Sequence, residues 1–220
     1  AVTSEGRTLL ADHPATTIGG ARDVRERAIA AERGAVLAPS ELLEVRDTLA
    51  AGRTLHRSLT RLGAEYPLLA AIAGRIVFCP KVISEIDRCL DDYGALRDSA
   101  SEALGRIRRD VRVAHSRVQD KLQRIIGASR NAPALQEPII TQRNGRYVIP
   151  VKADFKGRLP GIVHDVSASG ATVFVEPLSV VALNNSWHEL EIKEQQEIER
   201  ILAELSKLIA SRAEDITQTV

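Results

Sequence analysis

The segment from Gln142 to Pro177 constrains the fold most, because it has the features of a small β module inserted between two long helical stretches. Asn144-Gly145 separates two short runs of strand-forming residues, and Asn-Gly is the dipeptide best suited to the two-residue type I′ turn of a β-hairpin. Ser167 to Gly170 predict the turn of a second hairpin. A small sheet carried on helices is more typical of a module that holds a partner molecule than of a catalytic pocket.

Two long amphipathic helices are predicted to flank this module. Ser99 and Glu102 have the spacing of a capping box at the start of the first helix. Apolar or small residues then recur at alternating spacings of three and four as far as Gly127, as in a coiled coil. The second helix is predicted to begin near Ser179. Because the inserted hairpins return the chain close to where it left, we expect the two helices to run antiparallel.

The two flanking stretches carry opposite charge. Residues 97–130 contain nine Arg or Lys and four Asp or Glu, a balance of +5, whereas residues 178–220 contain four and eight, a balance of −4. Opposite charges beside an apolar seam favour pairing of the helices. Exposed ion pairs contribute under about 1 kcal/mol each, so the apolar seam must dominate. The alternative is that each helix simply carries a solvated charged face.

Shorter helices are predicted before this region, with Pro39-Ser40 and Pro80 at first turns. Aromatic residues make up only 3% of the chain, so its core must consist of Leu, Ile, Val and Ala, which suits packing of helices. The predicted fold is therefore mainly α with a small antiparallel β insertion. Its predicted divisions are a helical core over residues 1–95, an ascending helix and connection over 96–137, the β module over 138–177, and a returning helix over 178–220.

Composition narrows the class of protein. The content of hydrophobic and charged residues, 44% and 27%, is ordinary for a globular protein. A net charge of +1 gives no overall case for a polyanionic partner, so only a local patch could bind one.

Cys79 and Cys89 lack metal-ligand spacing and are expected to be reduced thiols in a cytoplasmic protein. No signal peptide or membrane-spanning run is evident. The lack of Met and the start at Ala1 predict a piece of a longer protein.

Basic side chains concentrate in the β module. Arg143 and Arg146 are expected to face each other across the hairpin, where an anionic ligand would relieve their repulsion. In a simple meander, the loop Lys156-Gly157-Arg158 would lie at the end of the sheet opposite Asn144. The face of the sheet on the other side from Arg143 and Arg146 is predicted to be its packing face, through Ile140, Tyr147, Ile149 and Val151. The candidate nucleic-acid-binding residues are Arg143, Asn144, Arg146, Lys152, Lys156 and Arg158.

Two interpretations of this basic surface remain open from composition. One is contact with nucleic-acid phosphates independent of sequence, which needs mobile cations but no base-reading helix. The other is that hairpin tips are basic merely to stay solvated. No catalytic, cofactor or metal site is predicted. His164, Asp165, Ser167 and Ser169 have the residue types of a hydrolase triad, but neighbouring strand residues point to opposite faces. No phosphate-binding loop is present, and Trp187 is predicted to be an apolar anchor.

The run from Arg143 to Lys152, followed by Gly161 to Asp165 and Ser167 to Thr172, resembles the MutS type-two family, the MutS-like proteins that lack the mismatch-reading amino-terminal domain. Glu176-Pro177 and Leu183-Asn184-Asn185 continue the resemblance, and the earlier helices are similar in a looser way. Val166 stands where the family often has a polar residue. The resemblance implies a MutS-like helical core, two long lever helices and a β clamp at their tip.

The resemblance also implies regions that this sequence does not contain. In the family, an ABC-type ATPase domain follows the returning lever, uses ATP and Mg and dimerises the protein, and an endonuclease domain often ends it. The expected function is a clamp on duplex or branched DNA, under control of that ATPase domain, in DNA repair or suppression of recombination. The alternatives are a clamp acting on ribosomal RNA or protein of stalled ribosomes, and a purely structural spacer or dimer scaffold.

Overall fold

The computed structural model describes residues 2–17 and 19–220. They are mainly α-helical with one small antiparallel sheet, which confirms the predicted fold class. The chain divides into two compact units, unit 1 with Ala1–Glu102 and Ile198–Val220, and unit 2 with Ala103–Glu197. The finer division into core, levers and clamp stays a prediction. No helix among the described residues is both long and apolar enough to cross a membrane.

Unit 1 is helical, and prolines mark where its helices begin. Pro39 and Pro80 occupy first turns, where a missing N–H removes no helical hydrogen bond. Leu42, Val45 and Ile86 are fully buried in its interior. Its described helices are α1 (Val2–Asp12), α2 (Arg25–Glu32), α3 (Pro39–Arg61), α4 (Pro67–Ala73), α5 (Pro80–Cys89), the end of α7 (Leu178–Ala210) and α8 (Ala213–Thr219).

The two cysteines belong to this interior. Cys79 and Cys89 are free and buried. Burial raises the pKa of both thiols, because the charged thiolate is poorly solvated there. They are therefore packing residues rather than reactive nucleophiles.

Unit 2 contains most of α6 (Glu102–Gly127) and the first part of α7. Arg108 Nε lies 2.8 Å from Glu194 Oε1, and the rings of His115 and Trp187 are 6.0 Å apart. Later positions in α6 therefore meet earlier positions in α7, which confirms the antiparallel prediction. The capping box at Ser99 was wrong, because α6 begins at Glu102 and Ser99 lies in a preceding 3-10 helix.

The sheet consists of β1 (Thr141–Arg143), β2 (Arg146–Lys152), β3 (Gly161–Val166) and β4 (Thr172–Pro177). Asn144 and Gly145 have φ values of 52° and 73°, which confirms the type I′ turn. The β3–β4 hairpin is also confirmed, since the amide of Ser167 donates to the carbonyl of Thr172 at 2.9 Å.

The simple meander was wrong. The strand order is β1-β2-β4-β3, so the connection from Ala153 to Pro160, which contains a 3-10 helix, returns along the sheet before β3 begins. β4 takes the inner position because its Val173 and Val175 are buried, whereas every residue of β3 is at least partly exposed. An edge position suits the less apolar strand.

One face of the sheet packs against α6 and α7. Ile149 and Val151 are fully buried there, and Ile140 and Tyr147 pack beside them, as predicted. Trp187 joins the same core and is the apolar anchor that the sequence indicated. The remaining buried members are Val118, Leu122, Ile126, Ala134, Leu135, Leu159, Val173, Val175 and Val180.

Candidate nucleic-acid interface

The arginines of the first hairpin are held by contacts within the module. Arg143 and Arg146 are directly opposite across β1 and β2, as predicted. Arg143 Nε lies 3.0 Å from Asp165 Oδ2, and the guanidinium carbon lies 4.0 Å from the centroid of the Phe174 ring. An ion pair and a cation–π contact therefore supply the compensation that we had assigned to an external anion.

The turn itself is also tied to the second hairpin. Asn144 Nδ2 donates a hydrogen bond of 3.2 Å to the carbonyl oxygen of His164. The β3–β4 register shifts between Val163 and Asp165, so His164 has no partner in the ladder. Such a bulge leaves backbone groups available to other partners. The first hairpin is thus held against β3 instead of projecting freely.

A buried carboxylate lies at the centre of these contacts. Glu176 is only 1% exposed. Its oxygens lie 2.6 Å from His164 Nε2, 2.8 Å from Asn184 Nδ2 and 3.5 Å from Arg146 Nη1. Transferring a carboxylate from water into a protein interior costs several kcal/mol unless partners compensate it. The three partners come from β3, α7 and β2, so Glu176 on β4 joins all of these elements.

Asn184 and Asn185 extend this cluster along α7. The fully buried amide of Asn184 accepts from the Tyr147 backbone N–H at 3.4 Å and donates to the Tyr147 carbonyl at 3.1 Å. Asn185 Oδ1 accepts a short hydrogen bond from Arg146 Nη1. The helix therefore contacts the beginning of β2 through two side-chain amides. The Asn184 amide pairs with both the N–H and the carbonyl of Tyr147, as the backbone of a neighbouring strand would.

Sequence reasoning missed the role of Glu176. Strand alternation places Glu176 on the face opposite Val173 and Val175, which predicts exposure to solvent. Residues distant in sequence cover that face instead. The available signal was that Glu176 and Asn184 belong to the motifs that carry the family resemblance, although their spacing alone assigned no function to them.

An aromatic cluster secures the inner face of the hairpin. Tyr147 Oη lies 2.8 Å from His115 Nε2, and its ring centroid is 4.9 Å from that of Trp187. The hydroxyl thus has a polar partner while the ring packs in the core. Tyr147 joins β2 to α6 through His115 and to α7 through Trp187.

The remaining basic candidates form a second group, around the connection from β2 to β3. Lys156 and Arg158 are exposed, and neither has an ion-pair partner in the part of the chain that the structure describes. Arg158 lies 5.4 Å from the centroid of Phe155. Lys152 Nζ donates to the carbonyl of Pro133 at 3.3 Å. The six predicted residues thus separate into three that hold the module together and three around a solvent-facing loop.

Ser167, one of the residues with the side-chain types of a hydrolase triad, instead stabilises the turn of the β3–β4 hairpin. Ser167 Oγ accepts from the Thr172 amide at 3.1 Å, while His164 is directed at Glu176. Within residues 2–17 and 19–220, no group of three or more His, Cys, Asp or Glu side chains is placed to hold a metal ion.

Comparison with known proteins finds relatives that all carry the same name. No protein-family model matches the chain. The chain is 42% identical over 220 residues to the Endonuclease MutS2 of Symbiobacterium thermophilum. This match covers 100% of this chain and 28% of that protein. It is 44% identical over 211 residues to that of Pelotomaculum thermopropionicum, covering 96% and 27%, and 45% identical over 206 residues to that of a Geobacillus species, covering 92% and 26%. The chain therefore spans little more than a quarter of the length of these relatives.

Proposed function

We propose that this chain, which belongs to the MutS type-two family, supplies the core, lever and clamp regions of a larger protein that binds duplex or branched DNA. The similarity extends over nearly the whole chain to relatives named as endonucleases, and such an activity acts on nucleic acid. Since the chain matches about 28% of such a relative, nuclease and ATPase activities would reside in the remainder.

The observation that carries the proposal is the solvent-facing cationic loop of the β module. Lys156 and Arg158 are exposed on the connection between β2 and β3 and have no acidic partner among the described residues. Contacts of this kind bind phosphates irrespective of base sequence. Lys152 lies at the start of the same connection and adds a third cation. Arg143, Asn144 and Arg146 keep the module in shape.

The packing of unit 2 suits a mechanical role. Glu176, Asn184 and Tyr147 join the strands to α6 and α7 through polar and aromatic contacts. A displacement of these helices would therefore move the sheet with them. We propose that ATP and Mg bound to an ATPase domain elsewhere in a cytoplasmic homodimer drive such a displacement. Closure on branched DNA would then restrain recombination or assist repair.

The test measures DNA binding of the chain with both loop cations replaced. Lys156→Ala with Arg158→Ala should weaken binding to a labelled DNA junction on the order of tenfold, similarly for different sequences. It should also reduce the slope of log affinity against log salt by about 2, because two phosphate contacts are lost. Fluorescence anisotropy at several salt concentrations measures both quantities.

A matched control removes the same charge elsewhere in unit 2. Arg117 and Arg124 are exposed on α6 and have no partner among the described side chains, so Arg117→Ala with Arg124→Ala changes net charge equally. Equal losses of affinity in the two double variants would refute the clamp surface. Stronger competition by ribosomes than by junction DNA would instead favour the ribosomal alternative.

A structural spacer is the second candidate. The observation that favours it is the internal use of Arg143 and Arg146 by Asp165 and Glu176, since cations already paired offer less to a phosphate. If the loop variants bind DNA as the unmodified chain does, the β module serves as a spacer or dimer scaffold.

A further inference from the structure

A basic groove in unit 1 lies outside the surface discussed so far. Its volume is about 640 Å³. It is formed by the second half of α3 and by the segment that leads into α5. The side chains that carry the argument are Arg53, His56, Arg57, Arg61, Phe78 and Pro80.

Three arginines form one row along this groove. Arg53, Arg57 and Arg61 are four residues apart on α3, so they share one helix face and succeed each other about every 6 Å along the axis. All three are exposed, and none has an ion-pair or hydrogen-bond partner in the described part of the chain. Among the described residues, none that lines the groove is acidic.

This row is not explained by the stability of α3. Like charges four residues apart destabilise an isolated helix, by roughly 0.2–0.5 kcal/mol per pair. A cation in the last turn favourably meets the negative end of the helix dipole, but that effect decays within one turn and so accounts only for Arg61. The repulsion between Arg53 and Arg57 is therefore compensated by no described group of the protein, and an anionic ligand would compensate it.

The groove also contains an exposed aromatic ring. Phe78 is 43% exposed, and its ring lies nearly perpendicular to the ring of His56, at 83° with centroids 4.7 Å apart. The other two phenylalanines lie beneath cationic side chains, Phe155 near Arg158 and Phe174 near Arg143. A cationic row beside a partly exposed ring is a combination that binds single-stranded nucleic acid, since phosphates follow the cations and bases stack on the ring.

We propose that this groove binds single-stranded nucleic acid, with Arg53, Arg57 and Arg61 on the phosphates and Phe78 stacking on a base. The flat faces of a paired duplex are not available for such stacking, which distinguishes this ligand from the duplex proposed for unit 2. An acidic protein surface would use the cations but would not require the ring. The proposal does not depend on the clamp.

The test compares two variants of the chain with a labelled oligothymidylate of about twenty nucleotides. Arg53→Ala with Arg57→Ala and Arg61→Ala should weaken binding at least tenfold and reduce the salt slope by about 2, as expected for three contacts to a single strand. Phe78→Leu, which keeps an apolar side chain but removes the ring, should weaken binding roughly five- to hundredfold with an unchanged slope.

Controls keep the outcomes distinct. Arg7, Arg33 and Lys207 are exposed in unit 1 outside the groove, and their triple replacement by Ala should weaken binding less than the groove variant. The groove variant should melt no lower than the unmodified chain. An equal loss in the control variant overturns the proposal. A loss in the arginine variant with full binding by Phe78→Leu overturns the stacking role of Phe78 and with it the preference for a single strand over other polyanions. The clamp variant should retain single-strand binding in this groove.

Discussion

The two groups of cations in the β module differ in what surrounds them. Arg143 and Arg146 are both only partly exposed and have carboxylates within 3.5 Å, from Asp165 and Glu176 respectively. Lys156 and Arg158 lie on the solvent-facing loop without an acidic partner in the described structure. Both groups are basic in the sequence, but one contributes to cohesion of the module and the other is available to a ligand.

This difference shows why counting basic residues cannot locate a phosphate-binding surface. A guanidinium that already has a carboxylate partner must lose that partner, or share it, before it binds a phosphate. An exposed cation without a partner has only water to exchange. The same criterion identifies the row of Arg53, Arg57 and Arg61 on α3 in unit 1.

Replacement of Glu176 should have the largest effect on the paired group. Glu176→Ala leaves the partly buried Arg146 and His164 without their carboxylate and removes one of the two acceptors of Asn184. Loss of one partner of a buried ion pair costs about 3–5 kcal/mol. Denaturation followed by the fluorescence of Trp187, the one tryptophan of the chain, should report a loss of this size in unit 2.

Glu137 provides the matched control for that experiment. It is exposed in the same unit and has no partner among the described residues, so Glu137→Ala should change the free energy of unfolding by less than about 0.5 kcal/mol. If both variants unfold at the same denaturant concentration, the buried cluster does not stabilise the module.

A smaller effect is expected at Gly161, where β3 approaches β4 most closely. A Cβ atom there would lie 2.4 Å from both the Glu176 carbonyl oxygen and Val175 Cγ1. Gly161→Ala should therefore displace β3 and weaken the contacts around Glu176, at a cost of about 1–3 kcal/mol. Gly157→Ala is the control, since nothing lies within 4 Å of its added Cβ. Equal stability of the two variants, measured by Trp187 fluorescence, would disprove this tight approach.

The features that were predictable from the sequence depend on neighbours along the chain. Asn144-Gly145 selects a type I′ turn because both residues tolerate positive φ, and Pro39 and Pro80 mark helix starts through their own covalent geometry. The antiparallel helices followed from apolar spacing and from the short return through the module. Each of these signals acts within a few residues or along one periodic face.

The strand order and the Glu176 cluster were not predictable for the opposite reason. β4 lies between β2 and β3 because of competition for burial among strands, which no turn sequence encodes. Glu176 is buried because Arg146, His164 and Asn184, separated from it by between 8 and 30 residues, converge on it. Alternation along a strand specifies which face a side chain takes, but it does not specify whether that face is covered.

The smallest expected effect separates the two cationic groups directly. Arg143→Ala removes an ion pair and a cation–π contact that are both partly exposed, so unit 2 should lose about 0.5–2 kcal/mol of stability. Lys156→Ala removes no hydrogen bond or ion pair of the described residues and should change stability by less than about 0.5 kcal/mol, while weakening DNA binding. Trp187 fluorescence and anisotropy on the same samples measure both properties. The distinction between cohesive and ligand-binding cations fails if Arg143→Ala leaves stability unchanged, or if Lys156→Ala destabilises the module as much.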